Sequence, residues 1–266
     1  MSTPATTGPT MGTGPGTSTA DLPSEPSGDA GSEPRWERRW EPRWPPRSQP
    51  LPEAYLALAQ DYQRRAELFT GWRELLVARL GAHRADTVVD VGCGPGLNFA
   101  ALRAAVGPQG TIIAIEESPE LLAVAAHRVA RRGWDNIELI NASARTARLS
   151  VRADAVLLCA AQDVLASPSA MGNLFSQLRS GAAVAAGGWK QPPVWLWPIR
   201  ACIPVPRGAF ATDFTSSAQP WQLMSEHVPD LHVTQLGFGT GYLAHGHTAR
   251  PTTDPDTDTA TTGYGS

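Results

Sequence analysis

Cysteine is scarce. Cys93, Cys159 and Cys202 are the three in 266 residues, and no two stand in a C-x-x-C spacing. An odd, scattered set of thiols excludes a disulfide framework and a cysteine-built zinc site, and it suits a reducing compartment, the cytoplasm. Charge is sparse too: 18% of the residues are charged and the net charge is −3, of which −1 falls on residues 1–50 and −2 on residues 249–266. The neutral stretch between them offers no basic groove, so no nucleic acid is expected as partner. Long hydrophobic runs are also missing. The most apolar late stretch, residues 182–206, is interrupted by Lys190, Arg200 and several prolines, which a membrane-spanning helix would not carry. The first residues lack a basic segment followed by an apolar one, so no secretory signal is expected.

Proline, glycine, serine and threonine crowd residues 1–50 and 249–266, where aliphatic residues are few. Such segments cannot bury enough apolar surface to offset the entropy of ordering, and both are expected to be disordered. The body, residues 51–248, has the length of a single α/β domain. Within the first tail, Glu33-Pro34-Arg35-Trp36 recurs as Glu41-Pro42-Arg43-Trp44 with Trp40 between. Interleaved Trp and Arg can rest at a bilayer interface, which keeps membrane contact open, or the segment can be plain tail. Pro34, Pro42, Pro45 and Pro46 argue against an amphipathic helix there.

The body is organised around Thr87 to Leu102, T-V-V-D-V-G-C-G-P-G-L-N-F-A-A-L. Val88, Val89 and Val91 predict a buried parallel strand, and Asp90 within it must face a polar crevice, because a buried carboxylate is costly without a partner. Gly92, Gly94 and Gly96 then supply a tight turn whose backbone N–H groups can come close to a ligand. A helix is expected from near Leu97 through Leu102. A dinucleotide fingerprint requires its third glycine where Leu97 stands, so the spacing opposes a nicotinamide cofactor.

Further along, Thr111 to Ile115 reads as a second strand ending at Glu116, 20 residues beyond Gly96. A carboxylate at that strand tip can accept from both hydroxyls of a ribose, and side-chain alternation favours Glu116 over Glu117. Ser118-Pro119-Glu120 is a helix start with an N-cap, a proline in the first turn and an early acid, and Gly133 follows the basic end of that helix. Ile137 to Ile140 is a third strand, Asp154 to Cys159 a fourth and Ala182 to Ala186 a fifth. Between the last two, Ser167-Pro168 caps a helix that is expected to end at Arg179-Ser180-Gly181. Before the first strand, apolar residues from Leu56 to Leu80 recur at three- and four-residue steps, the pattern of one or two helices. Trp221 to His227 predicts a short helix, and Leu231 to Leu236 and Tyr242 to His245, joined by Gly237-Phe238-Gly239-Thr240-Gly241, predict a hairpin.

The segment Asp90-Val91-Gly92-Cys93-Gly94-Pro95-Gly96 closely resembles motif I of the class I S-adenosylmethionine-dependent methyltransferases. The resemblance extends from roughly Leu56 to His247 and implies a Rossmann-like α/β fold: a mostly parallel seven-stranded sheet with a C-terminal antiparallel hairpin, flanked by helices. It implies S-adenosylmethionine as cofactor, held by Asp90, Gly92, Cys93, Gly94, Gly96 and Asn98, by Glu116 at the ribose, and by Ser143 and Ala144 at the adenine. That family usually has aspartate where Ser143 stands, and a hydroxyl accepts the same hydrogen bond more weakly. The family often has histidine or another polar residue at Gln162, which cannot take a proton.

Substrate candidates are Tyr55 and Tyr62, which either line the pocket or only pack; Gln162; and Trp189, which with Trp195 and Trp197 forms either a wall for an apolar acceptor or core packing. No catalytic residue is required for displacement at an activated carbon, and if a base is needed the candidates are Asp163 and Tyr242. The reading is a methyltransferase acting on a small, partly apolar molecule by in-line displacement. The alternatives are a lipid-amine N-methyltransferase at a membrane surface, suggested by the Trp/Arg segment, and a non-catalytic S-adenosylmethionine-binding module, suggested by Ser143 and Gln162.

Overall fold

The computed structural model describes residues 70–190 and 218–250. Their elements are α1 (Thr70–Leu80), β1 (Thr87–Val91), α2 (Phe99–Val106), β2 (Thr111–Glu116), α3 (Pro119–Arg132), β3 (Ile137–Asn141), β4 (Ala153–Cys159), α4 (Gln162–Leu165), α5 (Pro168–Phe175), β5 (Leu178–Trp189), α6 (Gln222–Ser225), β6 (His232–Leu236) and β7 (Gly241–His247). They form a seven-stranded sheet in the order β3-β2-β1-β4-β5-β7-β6, in which β7 runs antiparallel to both β5 and β6. This is the α/β, mostly parallel sheet with a C-terminal antiparallel hairpin that the sequence predicts.

The β-branched and aliphatic runs of the strands are continuous because both faces of the sheet are covered. On one face Val89, Val91, Ile113, Ile115, Val156 and Leu158 pack with Met171 and Leu174 of α5 and with Met224 and Val228. On the other, Val88, Ile112, Ala114 and Leu157 pack with Leu76 and Leu80 of α1, Phe99 and Leu102 of α2, and Leu122 and Val129 of α3. The central strand β1 pairs with β2 on one side and β4 on the other. From β1 the chain winds outward to β3, then returns to β4 on the opposite flank. The strand order therefore reverses between β1 and β4, which opens a crevice at their carboxyl ends.

Helix α3 has the expected ends: Ser118 Oγ accepts from Leu121 N at 3.2 Å, Pro119 occupies the first turn, and Gly133 closes the helix in the left-handed region. Helix α2 starts at Phe99 rather than Leu97. Turn hydrogen bonds, Gly96 N to Cys93 O at 3.0 Å and Phe99 N to Gly96 O at 3.4 Å, carry the chain through residues 96–98. Asn98 stands at the N-cap of this helix, but its side chain makes no capping bond and is turned to Asp90.

Arg179-Ser180-Gly181 does not end a helix. Helix α5 stops at Phe175, and β5 begins at Leu178. The Gln177 side chain draws the helix end closed by donating to Asn173 O at 3.0 Å and to Ala147 O at 3.1 Å. Gly181 (φ +72°) instead sits in a bulge, where the pairing jumps from Ala153↔Leu178 to Ala155↔Ala183. Ala249 O accepts from Ser180 Oγ at 2.7 Å and from Gly181 N at 3.3 Å, so the chain's contacts with this bulge run past residue 248. Helix α6 is shorter than Trp221 to His227, and His227 stacks on Phe175 at 4.4 Å instead of extending it.

Candidate functional site

The crevice is built on the tip of β1. Asp90 shares a face with Val88 and is fully buried, and its carboxylate accepts from Asn98 Nδ2 at 3.2 and 3.4 Å. Burial drives the Asp90 carboxyl up from 3.8 to about 7; the Asn98 hydrogen bond opposes the rise and the nearby charge of Glu116 adds to it. Asn98 is itself buried, and its Oδ1 has no partner. A buried amide oxygen left unpaired costs stability, and it suits a site whose missing donor arrives with a ligand.

The loop Gly92 to Gly96 turns on left-handed glycines. Gly92 N and Cys93 N both donate to Ile115 O, at 2.9 and 3.1 Å, which ties the loop to β2. At Gly96 (φ +75°) a Cβ would come within 2.3 Å of the Phe99 ring, so this position is closed to any other residue. Gly96→Ala should lower stability by about 2–4 kcal/mol, from overpacking together with left-handed strain. For a body of this size that is roughly 5–15 °C in Tm, read by thermal denaturation. Cys93 is a buried free thiol, pushed up by its burial and by Asp90 and Glu116, and Cys159 at the tip of β4 is pushed up to about 12, mainly by burial. Both are therefore protonated and poor nucleophiles.

Glu116 closes the second side. Its Oε2 accepts from Gly94 N and its Oε1 from Ser118 N, each at 2.9 Å. Burial raises its pKa, against the pull of these amides, and Asp163 across the crevice raises it further. A carboxylate has about four acceptor sites, so two remain for a diol. Glu117 is exposed. The tip of β3 is fastened alongside: Asn141 Nδ2 donates to Glu116 O at 3.0 Å and Glu117 O at 3.1 Å, and Ala142 N donates to Glu116 O at 3.2 Å. Ser143 and Ala144 follow in the turn, with Ser143 O accepting from Thr146 N and Ala147 N at 2.9 and 2.8 Å.

Across the crevice, Gln162 opens α4. In the amide orientation that satisfies both ends, it donates to Ala160 O at 2.7 Å and accepts from Trp189 N at 3.0 Å, locking the tip of β4 to that of β5. Asp163 beside it is exposed. Trp189 is the last residue of β5 and pairs with Gly241. Tyr242 is fully buried against Trp221 at 5.1 Å, with its hydroxyl unpartnered. Burial raises its pKa well beyond the usual phenol range, so as a candidate base Tyr242 gives way to the exposed Asp163. Tyr55 and Tyr62 lie outside the described residues.

Two hydrogen-bonded pairs, Asp90 with Asn98 and Gly94 with Glu116, thus flank the glycine loop with Cys93 between them in the chain, while Ser143 and Ala144 continue from the adjoining strand tip. The sequence reading missed Asn141, which holds β3 to β2, and Arg128, whose Nε donates to Pro95 O at 2.9 Å and braces the glycine loop from α3. An asparagine ending a strand is a local signal for the first. Nothing local marks the second, whose partner is 33 residues away.

Residues 88–181 match the model of a methyltransferase domain family. A demethylmenaquinone methyltransferase of Geobacillus kaustophilus is 34% identical over 73 residues, 27% of this chain and 31% of that enzyme. A trans-aconitate 2-methyltransferase of Mycobacterium marinum is 42% identical over 77 residues, 29% of this chain and 26% of that enzyme. The chain therefore matches less than a third of the length of these curated relatives. Among solved structures, a SAM-dependent methyltransferase from Aquifex aeolicus superposes with a TM-score of 0.51 at 17% identity, covering 66% of this chain and 89% of that one. An O-methyltransferase family protein from Burkholderia thailandensis superposes with a TM-score of 0.53 at 15% identity, covering 74% and 60%. Residues 88–181 thus match a methyltransferase domain family, and the described residues share the mostly parallel seven-stranded fold of these solved methyltransferases.

Proposed function

We propose that this chain is an S-adenosylmethionine-dependent methyltransferase that methylates a small, partly apolar molecule in the cytoplasm. The observation that carries the reading is the set of groups around the glycine loop: a buried Asp90, an Asn98 oxygen without a donor, a left-handed glycine turn, and Glu116 bonded to the Gly94 amide at 2.9 Å. These groups fit the cofactor by chemistry. Asp90 suits a cationic amino-acid portion, Glu116 has acceptor sites left for a ribose diol, and Ser143 with Ala144 stands at the neighbouring strand tip for the adenine. When bound, the cofactor supplies a methyl group on a positively charged sulfur, ready for in-line displacement.

The chain's own work is to position the reactants and keep water away. Gln162, held at both ends by Ala160 O and Trp189 N, fixes the far wall of the crevice. Asp163 is the carboxylate placed to take a proton, should the acceptor need to lose one. The catalytic unit is residues 51–248, with Ala249 and Arg250 seated on the β5 bulge. No helix among the described residues is long and apolar enough to cross a membrane. The relatives named above act on small molecules, a demethylmenaquinone and trans-aconitate, which supports an acceptor of that size.

A thermal-shift comparison tests the cofactor class. At 100-fold above Kd a ligand stabilises by about 2.7 kcal/mol, so S-adenosylmethionine should raise Tm by roughly 5–10 °C while NAD leaves it unchanged. A shift with NAD alone would overturn the reading. Release of S-adenosylhomocysteine when cell extract is added then separates an enzyme from a binding module.

A further inference from the structure

Away from the crevice, the hairpin that ends the sheet carries His232, His245 and His247 on one face. His232 of β6 lies directly opposite His245 of β7 in the antiparallel register, so the two side chains leave the sheet on the same side. His247, two residues further along β7, alternates onto that side as well. It is the side that α1 covers, where Ala185 and Leu243 pack with Leu76 and Leu80. Across from His245 on β5 stands Ala185, whose methyl group leaves room for the imidazole. His245 is four residues along β7 from Gly241, which faces Trp189 at the carboxyl edge, so about 13 Å of strand separates it from that edge.

The His232 and His245 rings have centroids 5.8 Å apart and planes inclined at 31°. An imidazole nitrogen binds Zn2+ at about 2.0–2.1 Å, which brings the centroids of two rings on one tetrahedral ion to roughly 5 Å. The rings need only a small closing movement to reach that spacing, and His232 is exposed, so its side chain can turn between rotamers. His247 is engaged elsewhere: Asp230 Oδ1 accepts from its backbone N at 2.6 Å, and Asp230 Oδ2 meets its Nδ1 at 2.9 Å. Among the described residues no three histidine, cysteine or carboxylate side chains are grouped to hold a metal ion, so a metal at this pair takes its remaining ligands from water.

We infer that His232 and His245 form a cross-strand site for a late first-row divalent transition metal ion, of the zinc and copper class, with one imidazole nitrogen from each as the protein ligands. The bound ion clips β6 to β7. Strand β6 is the edge of the sheet and is exposed or half-buried along its whole length, so burial does little to hold it and a clip there adds most. The site does not depend on the methyltransferase reading, because none of its residues belongs to the crevice.

The test is titration of the full chain and of His232→Asn, His245→Asn and His247→Asn, with Zn2+ by calorimetry and with Cu2+ by electron paramagnetic resonance. Each of the first two variants keeps a single imidazole and loses the gain from two linked ligands, so Zn2+ should bind them roughly 10-fold or more weakly, while His247→Asn stays within about 3-fold of the unmodified chain. Cu2+ on the unmodified chain should show coupling to two nitrogens, and on either pair variant to one. Zn2+ at 100-fold above Kd should raise Tm of the unmodified chain by roughly 5–10 °C, and a chelator should reverse the shift. His232 is exposed, so His232→Asn keeps the fold and decides the matter even where the half-buried His245 does not tolerate replacement. No binding of Zn2+ by the unmodified chain at millimolar concentration overturns the site. Binding left intact in His232→Asn overturns it too, and so does an equal loss in His247→Asn, which places the ion on His247 and Asp230 instead.

Discussion

Glu116→Ala should weaken S-adenosylmethionine binding by roughly 10-fold to 150-fold, because hydrogen bonds to a charged group contribute about 1.5–3 kcal/mol each. The ribose is unchanged by methyl transfer, so its contacts are equal in the ground and transition states. The loss should therefore fall on KM for the cofactor and leave kcat within a few-fold. Glu116 also receives Gly94 N and Ser118 N, so alanine leaves two amides without their acceptor and loosens the loop. Glu116→Gln separates the two effects: its amide oxygen can keep one of these bonds while the charge is gone. Its loss of affinity should lie between those of the unmodified chain and Glu116→Ala. Glu117→Ala, at an exposed position, should change nothing. Steady-state kinetics with varied cofactor checks all three, and a raised KM in Glu117→Ala beside a silent Glu116→Ala would contradict the assignment.

Asp90→Asn should make the protein more stable and a poorer binder at once. The Asp90 carboxyl is raised from 3.8 to about 7, so the folded protein holds its proton more tightly than the unfolded chain does. The stability this contributes is fully present below about pH 4 and is lost as pH rises through about 7. Above that, a charge sits buried with one amide for partner. Asparagine removes the charge, so at pH 8 the variant should be more stable by about 1–4 kcal/mol, and at pH 4 it should gain nothing. Binding runs the other way. A cationic ligand favours the carboxylate form, so affinity of the unmodified chain for S-adenosylmethionine should rise by up to about 10-fold between pH 6 and pH 8. The variant's affinity should be weaker at pH 8 and nearly flat across that window. Thermal melts at pH 4 and pH 8, with titrations at pH 6, 7 and 8, measure both. A variant less stable at pH 8 with affinity unchanged would contradict this account.

Much of the site was legible because its signals are local. The valines of β1, the three glycines after Asp90, and a carboxylate ending β2 each follow from neighbours within a few residues, and so do the caps of α3. What was not legible depends on partners far along the chain or on competition between local choices. The start of α2 is expected near Leu97, but turn bonds carry the chain to Phe99, and the amide of the N-cap residue Asn98 is spent on Asp90 rather than on capping. Gly181 carries the usual mark of a helix end. Yet Gln177 closes α5 earlier, and the glycine's left-handed conformation serves a bulge whose partners, Ala153 and Ala155, lie on β4. Tyr242, named from the sequence as a candidate base, is turned by strand alternation into the core beside Trp221. Gln162, singled out as a residue facing the acceptor, is largely used in tying Ala160 to Trp189.

The most direct measurement of the central claim is a crystal structure of the chain soaked with S-adenosylhomocysteine. The account predicts the ribose hydroxyls within hydrogen-bonding distance of Glu116, the amino-acid portion over the glycine loop beside Asp90, and the adenine next to Ser143 and Ala144. Ligand density elsewhere on the chain, with the Glu116 carboxylate facing no part of it, would contradict the account.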